Sequence, residues 1–325
     1  LKSERSNYNV AVQRTNDEEL LLNLVRLKYR DTPFFMEVSS MASQFILSTK
    51  ANASASLQNG VKGLFGLGGS LGVTEKPTVT YSPLQGDRFI QRVLSPLPLD
   101  TITLLFNSGW NIERIFRLCF QRMNNLKNAP GASGPTPSRS PYFIEFISAV
   151  KYLRLLQIED AINLSYQEEN GVPQLILNIN DADKNRAEAR QFALAANVEP
   201  GKTRYVLAFS ADSNKTNHIR VVTRSLLGIM FYISQAVEVP SKDISKGKVT
   251  QTQTRDGKIF DWDKVMGDLL KIRSASEKPQ EYPMTIFYRG SWFYINDSDL
   301  SSKSTFSLLS QIFSLQAGKI KDNAP

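Results

Sequence analysis

A single cysteine, Cys119, and a single histidine, His218, occur in 325 residues. One cysteine excludes an internal disulfide, and one Cys with one His cannot build a structural zinc site. Such usage suits the cytosol, or a periplasmic chain that needs no covalent staples. Long apolar runs are missing as well. The longest, Leu226 to Ile233, falls far short of the ~20 residues a membrane helix needs. Concentrated charge of one sign is also lacking. The net charge of +8 is spread as +2, +3 and +3 over residues 1–100, 101–239 and 240–325. No stripe exists that counterion release would reward, so nucleic acid is not an expected partner. The densest basic cluster, Arg114, Arg117, Arg122 and Lys127, reads as a solvated helix face.

Catalytic signatures are equally scarce. The glycine-rich piece from Gly66 to Gly72 has no Gly-Lys-Ser/Thr after it, and Leu71 stands where a dinucleotide fingerprint requires glycine. His218 has no activated nucleophile beside it, and Cys119 falls on the apolar side of its helical pattern, where a thiol is inert. Asp261/Asp263 and Asp297/Asp299 each precede a predicted helix, so capping accounts for them before cation binding does. A non-enzyme with no cofactor and no metal is expected. The enzymatic alternative is a hydrolase whose acidic residues only the fold would gather.

What is present is a chain of ordinary globular composition, 41% hydrophobic and 22% charged, with the element order of an α+β protein. Thr15-Asn16-Asp17-Glu18-Glu19 reads as a helix start, and Pro33 ends that helix. Helices are expected near 87–94, 99–106, 141–156, 182–195, 225–237, 262–270 and 299–316. Residues 112–123 fit a helix by Ile112, Ile115, Phe116 and Cys119, and a strand by Phe116, Leu118 and Phe120. Strand pairs are expected at 162–167 with 174–180, at 204–210 with 218–223, and around Arg289-Gly290. The architecture is thus helix-plus-hairpin units with mixed or antiparallel sheets. The Gly/Pro/Ser-rich stretch 128–141 reads as a linker. It would divide an N-terminal domain, 1–127, from an α+β domain, 142–239. Residues 240–325 would form a C-terminal hairpin-helix unit or join the middle domain. The polar stretch 239–258 reads as a loop, mobile around Thr250–Thr254.

Residues 41–82 carry the most informative pattern, that of a long amphipathic β-hairpin. Odd positions include Met41, Phe45, Leu47, Leu57, Phe65, Leu67, Leu71 and Val73, while even positions are mostly Ser, Thr, Gln, Asn, Lys and Gly. A two-residue period held this long describes paired strands. Opposed residues of an antiparallel pair share a face, so odd must meet odd, and the loop must hold an odd number of residues. Between Lys50 and Glu75 the sole charge is Lys62, and each arm matches the roughly 9–11 residues of a tilted membrane strand. Open edges are not tolerated in lipid, so insertion would require a ring of subunits. Packing within an assembly and a disordered excursion are the alternatives.

Three segments, Asn23–Phe35, Pro77–Gly86 and Tyr288–Ile295, resemble stretches of uncharacterised proteobacterial envelope lipoproteins. The resemblance implies export and attachment at the outer membrane. A narrower implication is an accessory subunit of a large envelope machine, such as the outer-membrane core of a Dot/Icm-like type IV secretion system. The lipid-bearing cysteine with which such proteins start is not among these residues, so attachment would be by association or through an anchor ahead of residue 1.

Taken together, these readings describe an oligomeric structural subunit that binds other protein subunits in the periplasm and associates with the outer membrane. Its expected contact residues are Phe45, Leu47, Leu57, Phe65, Leu67, Leu71 and Val73 on the hairpin, with Trp292 and Tyr294 as contacts or core. A soluble periplasmic binding domain is the alternative.

Overall fold

A computed structural model describes residues 2–52, 68–83, 87–135, 137, 139–210, 215–280 and 284–318. The chain is α+β and forms two compact units, Phe34–Gln85 and the remainder.

The first unit holds strands β1 (Met36–Asn52) and β2 (Gly68–Pro83), paired antiparallel as a two-stranded sheet. Met41 faces Val79, Phe45 faces Glu75 and Leu47 faces Val73. Odd positions therefore meet odd positions, as the alternation requires. A register shift between Val38 and Ser40 inserts one extra residue at the base of the ribbon.

The larger unit begins with α1 (Lys2–Lys28). The capping signature at 15–19 does not start this helix. Thr15 instead donates its hydroxyl back to the Ala11 carbonyl, the use a threonine finds inside a helix. Leu20, Leu21, Leu24, Val25 and Leu27 are buried. Helices α2 (Asp87–Leu94), α3 (Leu99–Asn107) and α4 (Ile112–Cys119) follow, then β3 (Phe120–Met123) and β4 (Leu126–Lys127). The helical pattern read at 112–123 holds through Cys119, and a strand begins only at Phe120, so Phe116 and Leu118 are helical and the strand alternative is corrected there. Next come α5 (Ile144–Ile158), β5 (Ile162–Glu169), β6 (Val172–Ile179), α6 (Ala187–Ala195), β7 (Arg204–Ala208), β8 (His218–Thr223) and α7 (Leu226–Ile233).

Six strands form one sheet in the order β4-β3-β8-β7-β6-β5. All neighbours are antiparallel except β7 and β8, which run parallel. The hairpin expected at 204–223 is therefore corrected to a parallel pair. Alternation marks a strand but carries no direction, and β8 satisfies its other edge on β3. The sheet also joins residues 120–127 to 162–223, so stretch 128–141 runs within this unit. Pro130–Ser133 forms a 3-10 turn, and Asn128, Ala129 and Ala132 are buried.

The C-terminal part contains short helices α8 (Ser241–Ser245) and α9 (Asp263–Met266), and strand β9 (Arg273–Ala275). Strands β10 (Thr285–Tyr288) and β11 (Ser291–Tyr294) and helix α10 (Leu300–Gly318) complete it. Strands β10, β11 and β9 make a three-stranded antiparallel sheet. Arg289 (φ 49°) and Gly290 (φ 78°) both sit in the left-handed region, the requirement of a two-residue type I′ turn. Stretch 250–254 is tied down rather than mobile: Thr252 is buried, donates to the Pro137 carbonyl and accepts from Trp262 Nε1.

Candidate functional site

Three arrangements in the larger unit were not legible as sites in the sequence. The first is a clasp between the end of α1 and the β10–β11 turn. Arg289 Nη2 donates to both Asp31 oxygens, at 2.9 and 2.8 Å, and Tyr288 Oη donates to Asp31 Oδ2. Beside it, Tyr29 Oη donates to Asp243 Oδ2 at 2.8 Å and Lys248 Nζ donates to Asp243 Oδ1 at 2.6 Å. Tyr29 lies edge-on to Tyr288 and Phe293, with the Arg289 guanidinium 5.1 Å from its ring centre. Burial, reinforced by the Tyr29–Asp243 hydrogen bond, raises the Tyr29 phenol well above its ordinary range. The Lys248 hydrogen bond outweighs burial and holds the Asp243 carboxyl below its ordinary range.

A second arrangement is centred on Arg224, which is 1% exposed. It donates to the carbonyls of Arg117, Leu118, Phe120 and Asn128 and to Ser133 Oγ. Its guanidinium stacks 3.9 Å from the Tyr232 ring centre. The buried cation therefore caps the carbonyl end of α4 and closes the 128–133 turn onto it, where the helix dipole favours positive charge. Burial pushes its pKa down to about 10. Neighbouring Arg117 is also buried and grips Asp268 with two nitrogens, at 2.8 and 2.7 Å. The basic cluster read as a solvated face is thus corrected at Arg117, which also bonds Glu113 one turn back but whose partner Asp268 lies 151 residues away in sequence. These arginines hold structure: apart from Arg117 Nε, which is buried without a partner, their donors go to backbone carbonyls, to acids and to Ser133 Oγ.

The third is a cavity of about 440 Å³ beside Lys28, lined by segments 235–239, 249–252, 259–263 and 271–273.

Of the residues singled out in the sequence, Phe45, Leu47, Leu71 and Val73 occupy register positions opposite Glu75, Val73, Thr49 and Leu47. Leu57, Phe65 and Leu67 lie outside the described residues. Trp292 and Tyr294 share one face of β11, opposite Phe287 and Thr285, and are half-buried. Trp292 touches the Phe287 ring at 5.0 Å and lies beneath Lys278, while Phe287 is 57% exposed. Cys119 is fully buried, and that burial pushes its thiol up to about 12. Asp299 accepts from Ser302 N and caps the start of α10, whereas Asp261 accepts from Asp263 N in a local turn ahead of α9, whose N-cap, Trp262, makes no side-chain cap bond. Among the described residues no group of three or more His, Cys, Asp or Glu side chains is placed to hold a metal ion, and no helix is long and apolar enough to cross a membrane.

Comparison of the chain with protein-family models, with curated proteins and with solved structures finds no match.

Proposed function

We propose that this protein is a non-catalytic structural subunit of a multiprotein assembly in the cell envelope, with the β1–β2 ribbon as its contact element. The observation that carries this reading is the ribbon itself: sixteen residue pairs form a sheet of only two strands, set apart as a compact unit. A lone hairpin is marginal in water, because it cannot bury enough surface against itself. Each outer edge of a two-stranded sheet also offers a row of backbone donors and acceptors to an incoming strand. Strands or surfaces of neighbouring subunits would satisfy both needs at once.

The cellular setting follows from the resemblance of segments 23–35, 77–86 and 288–295 to outer-membrane lipoproteins. It supports a subunit in the periplasm against the outer membrane, with a secretion-system core as the most specific form of the idea. The test is the mass of the native particle from gently solubilised envelopes, compared with that of a chain lacking residues 50–76. The expected result is a large complex for the full chain and loss of that complex on deletion, with the melting of the remaining unit unchanged. A monomeric full chain, or ribbon amides in the native particle that exchange without protection, overturns the reading.

A further inference from the structure

The cavity beside Lys28 has the chemistry of a ligand site, and it makes no use of the ribbon. Lys28 Nζ makes one hydrogen bond, to the Gln235 amide oxygen at 3.0 Å. Every other charged group lining the space is either engaged elsewhere or open to solvent. Lys271 Nζ lies 3.6 Å from Asp263 Oδ2, Asp261 accepts from Asp263 N, and Arg273 is exposed. Glu238 is exposed. Lys28 is a half-buried cation whose charge is met by a neutral amide, and burial pushes its pKa down to about 8. It therefore stays protonated at neutral pH, and a carboxylate would give it the partner the protein withholds.

The walls define the rest of the ligand. Val237, Val249, Ile259, Phe260, Trp262 and Ile272 surround the space. Trp262 is held edge-on to Phe260 at 5.2 Å and anchored by its Nε1 donation to Thr252, so the aromatic wall is preformed. Thr250 Oγ1, in the same wall, is buried with no hydrogen-bond partner, a sign that polar demand here is not met internally. A volume of about 440 Å³ falls among those of small-molecule sites, which pair apolar walls with a few placed polar groups.

We propose that this cavity binds a small amphipathic monoanion, a carboxylate on an apolar chain or ring, with the carboxylate at Lys28 and the body against Trp262 and Ile272. One uncommitted cation shielded from solvent fits a single negative charge. A phosphate dianion would need at least one more free cation or a row of backbone amides.

Titration calorimetry of the full chain at pH 7 tests this with octanoate as the probe. Expected is saturable binding of one octanoate per chain, weakened at least about tenfold with octan-1-ol in its place and about tenfold or more by Lys28→Met. Val249→Trp, which fills the cavity and leaves the lysine untouched, abolishes it. Absence of saturable octanoate binding up to millimolar concentration overturns the proposal. So does wild-type affinity in a Lys28→Met chain that melts normally, or equal affinity for octan-1-ol. Tighter binding of octyl phosphate than of octanoate overturns the carboxylate assignment. Should Lys28→Met fail to fold, the Val249→Trp result decides: retained binding rejects this cavity as the site.

Discussion

Arg289 closes on Asp31 from a turn 258 residues away, through Nε at 3.1 Å and Nη2 at 2.8 and 2.9 Å. The contact joins the C-terminal end of α1 to the β10–β11 turn, so the first helix and a late hairpin are fixed to one another. Both side chains are about one-third exposed, and solvent screens the pair. A double-mutant cycle of Asp31→Ala and Arg289→Ala should therefore give a coupling of no more than about 1 kcal/mol in urea unfolding. A larger value would mean that Tyr288, which also donates to Asp31, makes the three groups act as a unit.

The turn itself offers a separate test. A Cβ on Gly290 would meet only Lys242 Nζ, at 3.9 Å, so space does not forbid it. The cost of Gly290→Ala is instead the left-handed backbone, about 1–2 kcal/mol. Arg289→Asn keeps a residue that tolerates this conformation and loses only the clasp. Thermal unfolding should rank Gly290→Ala below Arg289→Asn; the reverse order would show that the clasp, not the turn, holds this corner.

Replacing Arg224 should be far more damaging. Arg224→Met fills a similar volume but removes a donor from four carbonyls; those of Leu118 and Asn128 lose it outright, while those of Arg117 and Phe120 keep Asn128 Nδ2. Each buried unsatisfied group costs about 1–3 kcal/mol. Loss of more than about 3 kcal/mol, or failure to fold, is expected, and Arg224→Lys should rescue little because one ammonium cannot reach all four. A chemical denaturation midpoint within error of the wild type would refute this account of the α4 terminus.

Stability should depend on pH at both ends through one contact. The Asp243 carboxyl is held below its ordinary 3.8 chiefly by Lys248. Its contribution is therefore whole above that value and lost as pH falls through the folded-state titration. Tyr29 is raised above its ordinary 10.0, chiefly by burial, so its contribution is whole below pH 10 and declines as pH rises further. Thermal melts across pH should show a shallower acid limb in Asp243→Asn and a shallower alkaline limb in Tyr29→Phe. Unchanged limbs in both variants would remove this contact from the pH response.

Much of the element order was legible from periodicity. The alternation of residues 41–82 anticipated the odd-to-odd register of the ribbon, because the side-chain period of two is a property of the strand backbone itself. Arg289-Gly290 marked its own turn for a similarly local reason. Asp299 was legible as a cap because a cap bonds within three residues of itself. Strand β9 left no signal, since three residues are too few to show a period. The linker reading of 128–141 failed because Gly, Pro and Ser serve tight buried turns as well as flexible tethers. Arg117 misled for a related cause: charge on a helix predicts solvent unless the fold supplies an acid and a carbonyl.

The local chemistry of the chain by itself determined where most helices and strands form, which ribbon positions face one another, and that no internal disulfide or Cys/His zinc site can exist. Tertiary structure alone decided that β7 and β8 run parallel, that Arg224 is buried against a helix end, that Asp31 meets Arg289, and that Lys28 opens onto an apolar cavity. The reason is one of range. Backbone periodicity, turn geometry and capping act over a few residues and are written where they act. The partner of a buried charge is chosen by which distant segments the packing of the core brings within 3 Å of it.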